Sequence, residues 1–333
     1  IRVEQIAPWL EGLSDIERNW ALSQGASDPV PKIILFPNQQ GGIDKVAALV
    51  TGLDPISFAK IPKSLPEGHY VFADLDEEDI LKRAALSWAL SQYDFNRYTK
   101  SPSKLRFLHL SDKALLTQVS RLANATNLTR DLINTPTNDM GPTALAQAVK
   151  GVGESYGAVS HEITGDALLE QNFPAIHAVG RAGADAPRLI ELNWGSSDAP
   201  KVTLVGKGVC FDTGGLDIKP SAGMRLMKKD MGGAAHALAL AALIMDAGLP
   251  VRLRLLIPAV ENSIAGNAYR PGDVISTRKG LSVEVGNTDA EGRIILCDAL
   301  ALADEESPDL LIDFATLTGA ARVALGTDLP ALF

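Results

Sequence analysis

The second half of this chain of 333 residues alternates short apolar runs with stretches of helical periodicity. The apolar runs are rich in Val, Ile and Leu, and they predict strands at residues 189–192, 202–205, 251–257, 281–285 and 310–314. Helices are predicted at residues 142–156, 234–247 and 293–305. Near-continuous apolar strands separated by helices are typical of a sheet covered on both faces. The alternation therefore predicts an α/β fold whose sheet is mostly parallel or mixed and is flanked by helices on both faces.

The first part of the chain shows the same alternation on a smaller scale. Strands are predicted at residues 32–36, 69–72 and 105–110, and helices at 77–93 and 111–133. Residues 134–142 contain Asn and Pro, which end helices. A length of 333 residues suggests about two domains. We predict a smaller N-terminal α/β domain at residues 1–125, a linker at 126–140 and a second domain at 141–333.

Composition and charge exclude several classes of protein. Acidic residues number 40 against 31 basic ones, and the resulting net charge of −9 disfavours bulk binding of nucleic acid. Cys210 and Cys297 are too few for a disulfide framework or a thiolate zinc site, and we interpret both as buried structural thiols. No apolar run is long enough to span a bilayer, and the first residues show no signal-peptide pattern. We expect a reduced, cytoplasmic protein without a membrane partner. His69 and His109 are interpreted as isolated histidines.

Polar, glycine-rich segments follow three of the predicted strands. These segments are residues 206–215, 287–293 and 316–319, and a fourth segment, 230–233, opens a predicted helix. Ligands of parallel α/β sheets bind beyond the carboxyl ends of the strands. If the sheet is parallel, the segments converge on one edge of it.

Four carboxylates lie in these segments. They are Asp212, Asp230, Asp289 and Glu291. An unpaired cluster of this kind would destabilise the fold or raise the pKa values of its members. Two divalent cations such as Mg²⁺, Mn²⁺ or Zn²⁺ would neutralise it, and a two-metal site activates water and polarises a carbonyl or phosphoryl oxygen. His236 lies inside an apolar helix, so the His-Glu-x-x-His pattern of zinc proteases is not present around it.

Each of these residues also has a structural interpretation. Asp230 and Asp289 precede predicted helices and could be N-caps, and Asp212 before Thr-Gly-Gly could shape a turn. Lys207 could be solvated or could bind phosphate, although Gly208 after it breaks the pattern of a phosphate-binding loop. The residues taken alone leave a dimetal hydrolase and a structural role open.

Five sequence motifs occur between residues 130 and 320. They include Asn-Thr-Asp-Ala-Glu-Gly-Arg at 287–293 and Gly-Lys-Gly-x-x-x-Asp-Thr-Gly-Gly-x-x-x-Lys at 206–219. The other motifs are Met-Lys-Lys-Asp-Met-Gly-Gly-Ala-Ala at 227–235, Thr-Leu-Thr-Gly-Ala at 316–320 and Arg-Asp-Leu-Ile-Asn-Thr-Pro-Thr-Asn at 130–138. Together they resemble the motifs of the leucyl aminopeptidase family, the dizinc cytosol aminopeptidases, and the resemblance covers residues 125–333 well. It implies that residues 141–333 form the catalytic domain and that this domain is truncated at its C-terminal end.

The resemblance also implies a role for each site residue. Asp212 and Glu291 would bridge two metal ions, Lys207 and Asp230 would complete one metal site, and Asp289 would complete the other. Lys219 would polarise the substrate carbonyl, and Arg293 would hold a bicarbonate that acts as the general base. The residues expected to contact substrate are Met227, Asn287, Thr316 and Leu317. Met227 could equally be core, and Arg293 could form an ordinary ion pair.

The implied protein is a metal-dependent aminopeptidase that releases N-terminal residues, Leu or other large apolar ones, from peptides. Its cofactors would be two ions of Zn²⁺ or Mn²⁺, with Mg²⁺ and Co²⁺ as alternatives, and bicarbonate. A homohexamer is implied as its assembly. Three alternatives stay open: a DNA-binding protein, which the net charge disfavours, an inactive homologue, and a dimetal phosphoesterase.

Overall fold

The computed structural model describes residues 1–73, 75, 77–100 and 104–333. Within this range the chain forms two compact units, Ile1–Asn127 and Leu128–Phe333. Both units combine helices with strands, so the predicted two-domain α/β class is confirmed. No helix among the described residues is long and apolar enough to cross a bilayer.

The N-terminal unit contains two small sheets and several helices. Its elements are α1 (Ile6–Glu11), α2 (Asp15–Ser23), β1 (Lys32–Pro37), β2 (Ile43–Leu49), α3 (Pro55–Lys63), β3 (Gly68–Tyr70), α4 (Glu78–Ser91) and β4 (Arg106–Leu108). Strands β1 and β2 pair antiparallel, whereas β3 and β4 pair parallel. Phe58 and Trp88 belong to one of its apolar cores.

The interpretation of His69 and His109 as isolated residues is wrong. His69 Nδ1 lies 2.8 Å from His109 Nε2, and the rings are 5.0 Å apart. Strands β3 and β4 pair side by side, with His69 opposite Phe107, so alternation places His109 on the same face two residues along. Sequence spacing gave no indication of this pairing because 40 residues separate the two histidines.

The C-terminal unit carries the large sheet and most of the helices. Helix α5 (Lys113–Asn134) runs across the division between the units. The further helices are α6 (Pro142–Ser155), α7 (Ala167–Glu170), α8 (Pro174–Gly180), α9 (Ser221–Met224), α10 (Gly232–Asp246), α11 (Glu291–Asp304) and α12 (Ala320–Leu325). The strands are β5 (Val159–Thr164), β6 (Arg188–Trp194), β7 (Lys201–Gly206), β8 (Gly208–Asp212), β9 (Arg252–Asn262), β10 (Val274–Ser276), β11 (Ser282–Glu284) and β12 (Leu310–Phe314).

The large sheet is mixed, and its parallel part holds the chemistry. Its strand order is β12-β7-β9-β6-β5, and β8 pairs with the far end of β9. Strands β7, β8, β9 and β12 run parallel, whereas β6 is antiparallel to β9 and β5 is antiparallel to β6. The carboxyl ends of the parallel strands therefore meet at one edge of the sheet.

Helices cover both faces of this sheet, which explains its continuous apolar strands. Leu204 and Leu255 belong to the core that α6 and α10 close, whereas Val205 and Leu256 belong to the core that α8 and α11 close. Successive residues of a strand point to opposite faces, so a strand buried on both sides needs apolar residues at every position.

Two predictions about strands are wrong. The strand predicted at 281–285 does not join the large sheet, because β11 pairs antiparallel with β10 in a separate two-stranded sheet. The polar, glycine-rich segment 206–215, in which no strand was predicted, contains β8. The apolar periodicity of residues 281–285 identifies a strand but not its partner, and the glycines of 206–215 are atypical of strands.

Close backbone approach explains two glycines beside the site. A Cβ on Gly206, at the end of β7, would lie 2.6 Å from the Cα of Ala234 in α10. A Cβ on Gly233 would collide with the carbonyl oxygen of Phe314 in β12. The backbones are tied directly, since Lys207 N donates to Phe314 O (2.9 Å) and Ala234 N donates to Lys207 O (2.9 Å). Only glycine permits this contact between the first turn of α10 and the sheet.

Candidate metal centre

The carboxyl edge of the parallel strands brings several distant segments together. Lys207 stands between β7 and β8, and Asp212 ends β8. Asp230 lies in a 3₁₀ turn (Met227–Met231) that leads into α10. Asp289 lies in a second 3₁₀ turn (Thr288–Ala290), and Glu291 is the first residue of α11. Each side chain therefore stands close to the end of a strand or to the start of a helix.

Three carboxylates occupy one small buried volume. Asp212, Asp230 and Glu291 each offer one oxygen, and these oxygens lie within 4.8 Å of one another. The three residues are 3%, 2% and 1% exposed. Like charges at this separation repel strongly away from water, so the cluster needs cations among its members.

Two lysines supply part of that positive charge. Lys207 Nζ lies 2.7 Å from Asp230 Oδ2 and 2.9 Å from Glu291 Oε1. Lys219 Nζ lies 2.9 Å from Asp212 Oδ2 and also pairs with Asp289 Oδ1. Lys207 is itself only 2% exposed, which argues against the interpretation of a solvated lysine. The lysines thus divide the four carboxylates into two pairs.

The pKa values of two of these carboxyl groups show that burial disfavours their charged forms. Burial raises the pKa of Glu291 to about 7, and the charges of Asp212 and Asp230 add to the rise while Lys207 opposes it. Burial also raises the pKa of Asp212, although hydrogen bonds from Lys219 and the backbone of Gly214 oppose that shift. The acidic groups therefore hold more negative charge than their surroundings stabilise.

The lysine pKa values shift in the opposite sense. Burial alone would lower the pKa of Lys207, but Asp230 and Glu291 outweigh burial and raise it. Burial would likewise lower the pKa of Lys219, but its hydrogen bonds to Asp289 and Asp212 raise it. Both lysines are thus held in their charged form by the carboxylates beside them.

The residues present fit divalent cations. Four carboxylates less two lysine ammonium groups leave a formal charge of −2 among side chains in direct contact. Among the described residues, none donates a hydrogen bond to Glu291 Oε2, although this oxygen is buried. A buried carboxylate oxygen without a donor is costly unless a cation takes that place. Oxygen donors with an amine suit Mn²⁺, Zn²⁺ or Mg²⁺.

The other predicted site residues lie around this cluster with different degrees of contact. Thr316 Oγ1 donates to Asp230 Oδ1 at 2.8 Å, and the Thr316 carbonyl accepts from Lys207 Nζ at 3.3 Å. Asn287 is exposed, and its Oδ1 accepts from the backbone N of Asp289 at 2.8 Å. Met227 is half-buried in the first 3₁₀ turn, and Leu317 is exposed.

Arg293 does not contact the cluster by an ion pair. It lies on the first turn of α11, its residue is exposed, and no carboxylate in the described part of the chain pairs with it. The structural interpretation of Arg293 as an ordinary ion pair therefore finds no support. Its guanidinium is available to an anion.

The capping alternatives also find no support. Met231 and Ala290 hold the N-cap positions of α10 and α11, and neither makes a side-chain capping bond.

Cys210 is buried as predicted, but the interpretation of Cys297 as buried is wrong, because it is exposed on α11. Arg293 lies four residues before Cys297 on the same side of α11. The Cys297 Sγ donates to the Arg293 carbonyl oxygen at 3.1 Å.

Sequence reasoning missed Asn262, whose amide touches Asp212. The predicted strand stopped at residue 257, whereas β9 continues through Pro258 to Asn262. Proline lacks a backbone donor and is atypical inside a strand, which explains the early stop. The extended register, in which Asp212 pairs with Asn262, is the signal that would have revealed it.

The fold and the site together define a class of protein: an α/β protein with a buried carboxylate–lysine centre suited to divalent cations at the carboxyl edge of its parallel strands. Comparison with known proteins gives the family. The catalytic-domain profile of the cytosol aminopeptidase family matches residues 127–333, and the profile of the M17 aminopeptidase N-terminal domain matches residues 1–111. The chain belongs to the cytosol aminopeptidase family.

Curated relatives and solved structures agree with this assignment. A "Probable cytosol aminopeptidase" of Rhodococcus jostii is 40% identical over 267 residues, which are 75% of this chain and 53% of that protein. A "Peptidase B" of Pectobacterium carotovorum is 48% identical over 211 residues, 61% of this chain and 48% of that protein. The chain spans about half the length of these curated relatives.

Two solved structures share the fold along nearly the whole chain. The cytosol aminopeptidase of Coxiella burnetii is 49% identical with a TM-score of 0.93, covering 98% of this chain and 72% of its own. The bottromycin maturation enzyme BotP, solved in complex with Mn, is 32% identical with a TM-score of 0.82 and covers 95% of this chain and 72% of its own.

Proposed function

We propose that the protein containing this chain is a metal-dependent aminopeptidase that releases N-terminal residues, Leu or other large apolar ones, from peptides. The observation that carries the proposal is the buried group of Asp212, Asp230 and Glu291 around Lys207, with oxygens within 4.8 Å of one another. Membership in the cytosol aminopeptidase family supports the same activity.

Five side chains would hold two divalent ions. Asp212 and Glu291 would be shared by both ions, Lys207 and Asp230 would complete one site, and Asp289 would complete the other. The bound ions would supply Lewis acidity toward the scissile carbonyl and a lowered pKa for the attacking water. Lys207 must lose its proton to become a ligand, so binding of cations and release of that proton are linked.

Lys219 has a different task from Lys207. Its ammonium group is half-buried, and Asp212 and Asp289 hold it in the charged form. A fixed positive charge beside the scissile bond stabilises the negative charge that develops on the carbonyl oxygen. Lys219 therefore serves as the electrophilic group of the reaction.

The remaining residues would hold the anion and the substrate. Arg293 would bind a bicarbonate, which would supply the general base, and its exposed position without an ion-pair partner among the described residues supports this role. Asn287 supports the turn that carries Asp289. Met227, Leu317 and Thr316 would contact the substrate from the segments before α10 and after β12.

The choice of metal rests on ligand chemistry and on one neighbour. Zn²⁺ or Mn²⁺ is our proposal, with Mg²⁺ and Co²⁺ as alternatives, since all accept carboxylate and amine donors. The BotP structure, solved in complex with Mn, supports Mn²⁺.

Hydrolysis of leucine p-nitroanilide by the whole protein tests this proposal. Treatment with a chelator is expected to remove the activity, and Mn²⁺ or Zn²⁺ is expected to restore it. Asp289→Ala protein, treated in the same way, is expected to stay inactive because it lacks a ligand of one ion. Hydrolysis of p-nitrophenyl phosphate in place of the anilide would instead identify a phosphoesterase and contradict the proposal.

We also propose a homohexameric assembly in the cytoplasm for the whole protein. Light scattering on the purified protein is expected to give the mass of six subunits. A monomer at the concentrations of the activity assay would contradict the assembly and leave the activity to be judged on the anilide alone.

A further inference from the structure

A buried asparagine links two parts of the metal centre, namely Asp212 at the end of β8 and the turn that carries Asp289. Asn262 ends β9, and none of its surface is exposed. The parallel register of β8 and β9 places it beside Asp212. Its Nδ2 donates to Asp212 Oδ1 at 2.8 Å and to the carbonyl oxygen of Thr288 at 3.0 Å. One amide group therefore touches a metal-centre carboxylate and the turn that carries Asp289.

The Thr288 carbonyl is held from two sides. Tyr269, which is 1% exposed, donates its hydroxyl to the same oxygen at 2.6 Å. Thr288 immediately precedes Asp289 and lies three residues before Glu291. The position of this carbonyl thus sets where the turn and the first residue of α11 lie relative to β8.

The chemistry of the two acceptors fits an amide. A carboxylate and a carbonyl offer only lone pairs, and the NH₂ group of asparagine has two hydrogens, one for each. The bond to Asp212 uses Oδ1, so Oδ2 is left to face Lys219 and the centre. Gly214 N donates to the same Oδ1 at 2.9 Å, which fixes the orientation of the carboxylate further.

We propose that Asn262 is a positioning residue that sets the spacing between Asp212 and the Asp289–Glu291 segment, and so controls the affinity of the centre for divalent cations without being a ligand. This inference rests on the proposed metal centre. Groups that orient metal ligands typically change metal affinity or activity 10–100-fold when they are removed. Tyr269 steadies only the turn, whereas Asn262 bonds to both parts.

Titration of the metal-free whole protein with Mn²⁺ by calorimetry tests this inference. Asn262→Leu keeps the approximate volume of the side chain but removes both donors, and it is expected to raise the Kd for Mn²⁺ about 10–100-fold. Tyr269→Phe is the matched control, because it removes one buried donor to Thr288 but leaves Asp212 bonded. We expect Tyr269→Phe to raise the Kd less than Asn262→Leu does, because Asn262 still bonds to both Asp212 and the Thr288 carbonyl. Its melting temperature is expected to fall.

The outcomes separate this inference from a general loss of stability and from the proposed function. An unchanged Kd in folded Asn262→Leu protein overturns the inference, as does an equal rise in Kd for both variants. If Asn262→Leu does not fold, Asn262→Ser, which is smaller and keeps one donor, is expected to show an intermediate rise in Kd. Wild-type protein that binds Mn²⁺ but does not hydrolyse the anilide contradicts the aminopeptidase alone and leaves the role of Asn262 to be read from the same titrations.

Discussion

Replacing Asp212 with asparagine is expected to lower kcat/KM for leucine p-nitroanilide by about 10³-fold, which corresponds to about 4 kcal/mol of transition-state stabilisation. Asp212 Oδ2 lies 2.9 Å from Lys219 Nζ, so an amide NH₂ in its place would set a donor against an ammonium group. The substitution also removes the carboxylate that both ions would share. Metal analysis of the purified variant is expected to show less than the wild-type content of Mn²⁺ or Zn²⁺.

A second buried aspartate provides the control for this prediction. Asp298 is fully buried on α11, and its Oδ2 accepts from Ala175 N (2.8 Å) and Ile176 N (3.2 Å), while Oδ1 accepts from Arg278 N (2.8 Å). Asp298→Asn leaves one of these donors facing an NH₂ group and is expected to cost about 1–3 kcal/mol of stability. It is expected to retain metal and activity. Equal metal loss in both variants would show that Asp212→Asn acts through general destabilisation.

Lys219→Met is expected to lower kcat about 10²–10³-fold, in the range measured when one oxyanion donor is removed. Methionine keeps much of the length of the lysine side chain but brings no charge to the developing oxyanion. Because Lys219 pairs with Asp212 and Asp289, which are proposed to hold the cations, its removal is not expected to weaken metal binding. Stopped assays with saturating Mn²⁺ and a separate metal titration would measure the two quantities independently.

Lys207→Met is the matched comparison, since the same substitution removes a proposed ligand. It leaves Asp230 and Glu291 without their partner at 2.7 and 2.9 Å, and it is expected to weaken metal binding as well as activity. Loss of metal from Lys219→Met to the same extent would contradict the assignment of different tasks to the two lysines.

The parts of the fold that the sequence predicted best are the strands buried on both faces. The run at 251–257 is apolar except for Arg252 and Arg254, and it became part of β9, a central strand with neighbours on both sides. The prediction that residues 281–285 join the large sheet was wrong, because a run of alternating residues does not specify its partner strand. Strand β8 was not predicted because it contains Gly208, which is atypical of strands. Gly208 lies against the backbone of β9, where a Cβ would be 2.6 Å from the carbonyl oxygen of Pro258. Glycine there is a packing requirement that resembles a loop signal.

The site contains residues that short sequence motifs identify and one residue that they do not. Asp212, Asp230, Asp289 and Glu291 stand in short motifs, and the structure brings them together with Lys207 and Lys219. Asn262 stands in no such motif, and its bond to Asp212 joins residues 50 positions apart. The pairing of such residues depends on which strands become neighbours in the sheet, and the apolar pattern of a single strand does not identify its neighbour.

The glycine contacts between α10 and the sheet have a consequence for the order of events during synthesis. Asp230 enters the site from the turn before α10. That turn is fixed against the segment after β12, because Thr316 Oγ1 donates to Asp230 Oδ1 at 2.8 Å and a Cβ on Gly233 would collide with Phe314 O. All four carboxylates leave the ribosome before β12 does. The parallel pair of β12 and β7 joins residues that are about one hundred positions apart in the chain. A nascent chain that ends before Thr316 lacks the hydroxyl group that donates to Asp230 Oδ1, so this bond to the carboxylate forms only after β12 has been synthesised.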